Sequence, residues 1–259
     1  MAHTPMALTQ DQFDEFARLS GDDNPIHVDP AFSARTRVGR TVAHGMHLFA
    51  VLQAELAREV GGPVRLSGQD FVFRAPTFAG EPLLLTLNHL DTGVVEETVT
   101  DTAGTVLADG NAMLGTLGPE EPGEPIKAAS AGYKGLEVGM SASRSRVLTP
   151  DDVADYLDLI NDPNPLYRNR NPELPPSLLG GMVSRLLGVD LPGRGTNWLK
   201  QRYRFYRAVT APSEVTTTVT ITRLRPEKGL VNLTSTCVID GSTAVAGESL
   251  VLATDVAPR

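Results

Sequence analysis

An aspartate and a histidine five residues apart, Asp22 and His27, frame the hexad Asp-Asp-Asn-Pro-Ile-His at residues 22–27. A carboxylate beside an imidazole can hold one water between two proton-transfer groups whose pKa values are set apart by burial. That is the equipment for adding water to a carbon–carbon double bond: one group takes a proton from the water while a proton reaches the adjacent carbon. Pro25 lacks an N–H and disfavours helix at Asn24, so the hexad must turn sharply, bringing the two side chains toward one point. A second cluster, Ala43-His44-Gly45-Met46, opens an apolar run. A helix starting at Gly45 points free N–H groups and its positive dipole end outward. An enolate oxygen, formed when a proton leaves the carbon alpha to a thioester, would be stabilised there, and glycine lets a substrate approach the backbone.

Other candidates carry less chemistry. His44 either orders its loop, lines a pocket or acts directly; His47 packs or faces solvent, and His89 is structural. No His, Cys and carboxylate grouping has metal-ligand spacing, so no metal is expected, and no cofactor either. Cys237 is the sole cysteine and lies in a strand-like run, which reads as a buried small hydrophobe. In Arg-Tyr-Arg-Phe-Tyr-Arg (202–207), alternation puts Arg202 and Arg204 on one strand face and Tyr203 and Phe205 on the other. A solvated sheet face is the plainer reading of those arginines; attraction to coenzyme A phosphates or an acidic carrier protein is the sharper one.

The elements that must position these groups follow from periodicity. Thr9 and Gln12 form a capping-box pattern, Phe13, Phe16 and Leu19 recur at helical spacing, and Gly21 stops that helix. Residues 45–60 predict a second helix with a wide apolar face. Four strand-like runs follow, so the fold class is α+β, a helix faced by an antiparallel sheet.

The chain then repeats itself. Asp22 to His27 corresponds to Asp162 to Tyr167, Gly45-Met46 to Gly181-Met182, Phe73 to Phe205 and Gly110 to Gly247. This predicts an N-terminal unit over residues 1–117, a Gly- and Pro-rich surface tether over 118–140, and a C-terminal unit over 141–259. The second copy is altered: Tyr167 stands where His27 stands, Pro163 follows Asp162, and all five histidines fall in the first ninety residues. A phenol with a pKa of about 10 cannot replace imidazole as a base near neutrality. One active site per chain is therefore expected, with the second copy walling the substrate channel.

Phe16 to His27, Ala43 to Met46 and the segment Phe71 to Gly80 resemble the signatures of the MaoC-like, R-specific enoyl-CoA hydratases. The resemblance is strong over residues 9–117 and weak over 150–254. It implies a hot-dog fold, a long helix wrapped by an antiparallel sheet, in tandem double form. It also implies Asp22 and His27 as the catalytic dyad, Asn24 as its local organiser, and Gly45 as donor to the thioester oxygen, with His44 and Met46 beside the substrate. The expected activity interconverts 3-hydroxyacyl and 2-enoyl thioesters of coenzyme A or acyl carrier protein in fatty-acid or polyketide-type metabolism. A hot-dog thioesterase and a non-catalytic acyl-thioester-binding partner subunit are the alternatives.

Composition sets outer bounds. The 259 residues suffice for one large domain or two ordinary ones. A formal net charge of -8 argues against general nucleic-acid or anionic-membrane binding. No run approaches the ~20 apolar residues of a membrane span, and the N-terminus does not read as a secretory signal. A cytoplasmic setting is the expectation, with a homodimer left open.

Overall fold

The computed structural model describes residues 4–115 and 132–258. The N-terminal half runs β1 (Thr4–Ala7), α1 (Gln10–Ser20), the single-turn helices α2 (Pro25–Val28) and α3 (Pro30–Ser33), and α4 (Gly45–Val60). The strands β2 (Leu66–Phe73), β3 (Pro82–His89), β4 (Val94–Asp101) and β5 (Val106–Leu114) follow. The C-terminal half repeats this as β6 (Ser141–Leu148), α5 (Pro150–Ile160), α6 (Pro176–Arg185), β7 (Asn197–Phe205), β8 (Ser213–Arg225), β9 (Leu230–Ile239) and β10 (Ser242–Leu252). A wider π-type turn, Leu186–Asp190, extends α6.

Local signals explain the helices. The Thr9–Gln12 capping box closes the start of α1, and Gly21, at φ 81°, ends it by donating its N–H to Ala17 O. Thr149 and Asp152 cap α5 in the same way. Phe13, Phe16 and Leu19 form the buried stripe of α1, as their spacing predicts. Burial of each such side chain contributes about 1.5–3 kcal/mol before entropy is counted.

All ten strands form one antiparallel sheet in the order β1-β3-β4-β5-β2-β7-β10-β9-β8-β6. The two halves read as mirror orders meeting at β2 and β7. There Asp70 lies opposite Arg202, its own counterpart in the register that matches Phe73 with Phe205. Helices α4 and α6 pack together beneath this junction. Gly110 and Gly247 are equivalent, because Phe71 crosses the first and Tyr203 the second, where any side chain would collide.

The equivalence of Gly45 and Gly181 does not hold. Helix α6 begins at Pro176, so Pro176 is the counterpart of Gly45, and Gly181 lies mid-helix against Ser20. Two glycine-methionine pairs at similar spacing imitated a match that the helix start contradicts. Within the expected tether, residues 118–131 lie outside the described residues. Residues 132–140 pack: Leu136 is fully buried, and Gly139 donates its N–H to Ile221 O.

Candidate active site

Gly21 ends α1 in the left-handed region, and Asp22 follows it into the interior, 1 % exposed. Pro25 at the start of α2 supplies the preset φ of a first helical residue, and the turn returns His27, 7 % exposed, to the same place. Asp22 Oδ2 accepts from Ser184 Oγ of α6 at 2.5 Å, and Oδ1 accepts from the Asn24 N–H at 3.3 Å. Nδ1 of His27 contacts Val42 O at 2.8 Å. A carbonyl only accepts, so Nδ1 carries the proton and Nε2 keeps its lone pair. The His27 carbonyl accepts from Gln10 Nε2, whose amide oxygen accepts from Thr41 Oγ1.

Burial sets the charges. It pushes the Asp22 carboxyl above its ordinary value, against the opposing pull of His27 and of the Ser184 and Asn24 hydrogen bonds. It pushes His27 below its ordinary value, against the pull of the Asp22 carboxylate. The two shifts converge on a dyad with a neutral imidazole beside a carboxyl that retains its proton more readily than usual.

His44 supports this pair from behind. Its Nε2 donates to Asp22 O at 2.9 Å, and its ring stacks on His27 with centroids 3.8 Å apart. Burial holds it well below the usual imidazole range, so it is a neutral donor. Asp22, His27 and His44 offer potential metal-ligand atoms within 4.8 Å of one another. Each ring gives one nitrogen to a carbonyl and keeps the other, but in stacked rings an ion in the plane of one lies out of the plane of the other. That is a poor donor set for a metal.

Asn24 works across the halves. Its Nδ2 donates to Thr196 O and its Oδ1 accepts from the Gly195 N–H, each at 3.0 Å. A purely local organiser was expected; the side chain instead clamps the C-terminal half. Met46 also departs from expectation. It is fully buried against Gly180 of α6, away from the cleft, because the second helical residue turns toward the neighbouring helix. His47 is fully buried and stacks on Phe16, while His89 pairs with Glu59 near the surface.

The cleft at Asp22 and His27 has a volume of about 150 Å³. Gly45 lies on its wall at the start of α4, under the ring of Phe73; a Cβ there would stand 2.5 Å from that ring. Ile26, Val42 and Leu48 supply apolar wall from the N-terminal half, and Leu187, Trp198 and Leu199 supply it from the C-terminal half. Ser184 and Gly188, on successive turns, bring α6 onto the carboxylate: a Cβ at Gly188 would lie 2.6 Å from Asp22 Oδ1. Sequence reasoning missed both. Aligning the helix starts, Gly45 with Pro176, would have placed Ser184 opposite Gln53 and revealed it.

The same geometry recurs, altered, in the second copy. Asp162 accepts from the Asn164 N–H at 2.8 Å, and Asn164 Nδ2 donates to Val64 O as Asn24 does to Thr196. Here Gln53 of α4 fills the place of Ser184, donating to Asp162 Oδ2 at 3.0 Å. Tyr167 is buried, with its phenol pushed far above its ordinary value by that burial. Pro176, in the place of Gly45, has no N–H to offer an oxyanion. Arg202 and Arg204 of β7 bind Asp70 on the outer sheet face and do not line the cleft, whereas Arg37 and Arg74 do.

Comparison with known proteins agrees with this architecture. The profile of the family described as MaoC like domain matches residues 1–111. The (R)-specific enoyl-CoA hydratase of Rhodospirillum rubrum is 30% identical over 129 residues, covering 46% of this chain and 90% of the relative. The enzyme of the same name from Aeromonas caviae is 35% identical over 126 residues, covering 45% and 94%. Among solved structures, one described as a MaoC-like dehydratase superposes with TM-score 0.77 over 97% of both chains at 14% identity. A Mycobacterium tuberculosis protein described as having a double hot-dog fold gives TM-score 0.69 at 12% identity, over 96% of this chain and 93% of its own. These last two establish the fold, a double hot-dog.

Proposed function

The chain belongs to the MaoC-like dehydratase family, and from that premise we propose a hydro-lyase with one active site, built on Asp22 and His27. It adds water to 2-enoyl thioesters and removes it from 3-hydroxyacyl thioesters. The carrying observation is the buried pair itself: a neutral imidazole with a free Nε2 and a carboxyl of raised pKa, both facing one cleft.

In hydration, the thioester oxygen sits at the Gly45 helix start, where backbone N–H groups stabilise enolate charge. As the water oxygen bonds to C3, its proton passes to His27 Nε2. Carbon 2 takes a proton from Asp22, and transfer from His27 back to Asp22 restores the pair. Dehydration is the reverse. We infer the (R)-3-hydroxy product from the relatives' names, and acyl-CoA as the substrate form. Arg37 at the cleft supports a carrier that bears phosphate, while the neighbouring Arg74 is already bound to Asp109. The unit boundaries near residues 117 and 141 belong to the same proposal, the C-terminal unit acting as the wall that supplies Ser184.

The test is an assay with crotonyl-CoA that follows enoyl absorbance and free thiol together. Hydration changes the absorbance without releasing thiol; thiol release would sink the proposal in favour of a thioesterase. Asp22→Asn and His27→Gln should each lose about 10²-fold or more in kcat. Asp162→Asn and Tyr167→Phe should retain most of it, and a loss matching Asp22→Asn in a folded variant would overturn the single-site reading.

A further inference from the structure

On the flank of α6 away from the cleft lies a second concavity, of about 70 Å³. Its lining is basic: Arg144 and Arg146 from β6, and Arg185 from α6, together with Thr217, Ser20 and Gly21. Arg144 lies opposite Thr217 in the β6–β8 register, and Thr217 is 1 % exposed, so both point to the inner face of the sheet. Inward-pointing charges can guard an edge strand, and β6 is an edge. A guard does not need a third arginine brought against it from another element, yet Arg185 lies across Gly21 into the same space.

The charges there are not balanced. Arg146 binds Asp152 and Leu19 O, and Arg185 binds Asp190 at 2.5 Å. Arg144 has no ion pair among the described residues. Two of the three guanidiniums already meet a carboxylate, which leaves the charge of the exposed Arg144 over in a concavity lined by arginine forks, and the planar fork of arginine matches phosphate oxygens. We propose that this concavity binds a phosphate group, held chiefly by Arg144 with Arg146 and Arg185.

The position gives the site a consequence. Ser20 and Gly21 lead directly into Asp22, whose N–H donates to Ser20 Oγ, and Arg185 adjoins Ser184, the donor to the Asp22 carboxylate. A phosphate bridging the arginines would tie together the two segments that hold Asp22. The group comes either from the nucleotide end of the substrate's carrier or from a separate phosphate compound.

Titration calorimetry at fixed ionic strength tests this on the full chain, with inorganic phosphate and with adenosine 3′,5′-bisphosphate as probes. Saturable phosphate binding is expected in the unmodified protein. Arg144→Gln should weaken it by about tenfold or more, Arg144→Lys should restore part, and Arg223→Gln, exposed further along β8, should leave it intact. Equal binding by Arg144→Gln and the unmodified protein, or the absence of saturable binding, overturns the proposal. Binding needs no turnover, so its failure is distinct from failure of the hydration assay. Kinetics then separate the sources. A raised KM of Arg144→Gln for crotonyl-CoA, but not for a crotonyl N-acetylcysteamine thioester, assigns the phosphate to the carrier. A phosphate-dependent rate with the cysteamine thioester, lost in Arg144→Gln, assigns it to a separate compound.

Discussion

The Asp22 carboxylate takes one hydrogen bond from its own loop and one from the opposite half of the chain, the latter from Ser184 Oγ. Hydrogen bonds to a charged group contribute about 1.5–3 kcal/mol, so Ser184→Ala should lower kcat by about ten- to a hundredfold with little change in KM. The lost donor also stops favouring the carboxylate, which moves the Asp22 pKa further upward and with it the alkaline limb of the rate profile. For the unmodified protein the profile should be bell-shaped. Its acid limb, where His27 gains a proton and stops acting as base, lies below the ordinary 6.5 because burial lowers His27. Its alkaline limb, where Asp22 loses its proton, lies above the ordinary carboxylate 3.8. A kcat profile across pH 4–9 checks both. An acid limb above the ordinary imidazole value would contradict the assigned roles.

At the scale of elements, the proposed site depends on two helices meeting a loop at close quarters. Gly45 opens α4 beneath Phe73, and Gly188 sits in the π-type turn that brings α6 against Asp22 and Asn24. A methyl group at Gly188 must displace the Asp22 carboxylate or the Asn24 amide. Gly188→Ala should therefore cost about 1–3 kcal/mol of stability and a larger share of kcat. Gly45→Ala meets only an aromatic ring, so the pair Gly45→Ala with Phe73→Leu should recover stability that Gly45→Ala alone loses. Thermal unfolding with kcat on the same preparations reads both. If the double variant is no more stable than the single one, the ring contact is not what excludes a side chain at residue 45.

For the molecule as a whole, the ten-stranded sheet places many polar groups in the interior, and the buried histidines set its response to acid. His47 is fully buried on the face of Phe16, with both ring nitrogens lacking a partner among the described residues. Burial lowers its pKa to about 3. The unfolded chain takes a proton near the ordinary 6.5 that the folded chain refuses until about 3. This contribution to stability is fully present above 6.5 and is lost as pH falls through that window. His47→Leu should raise stability by about 1 kcal/mol at pH 7, because a buried polar group without partners is removed. It should also flatten the fall of Tm between pH 6.5 and 4. An unchanged slope would assign the acid sensitivity to other groups.

Much of this was legible in the chain alone, because the signals are local. The cap at Thr9 and Gln12, the stop at Gly21, the break at Pro25 and the apolar face of α4 depend on neighbours within a few residues. The repeat of Asp22 to His27 by Asp162 to Tyr167 is likewise written in order and spacing. Contacts between the halves were not legible: Pro176 can mark a helix start, but nothing in residues 176–190 announces that the helix widens after Arg185 or which loop it meets. Only the packing of α4 against α6 decided that Ser184 and Gly188 complete the site, that Asn24 clamps across the halves, and that Met46 belongs to the core. Side chains far apart in sequence meet by the geometry of two helices under one sheet, which no local pattern encodes.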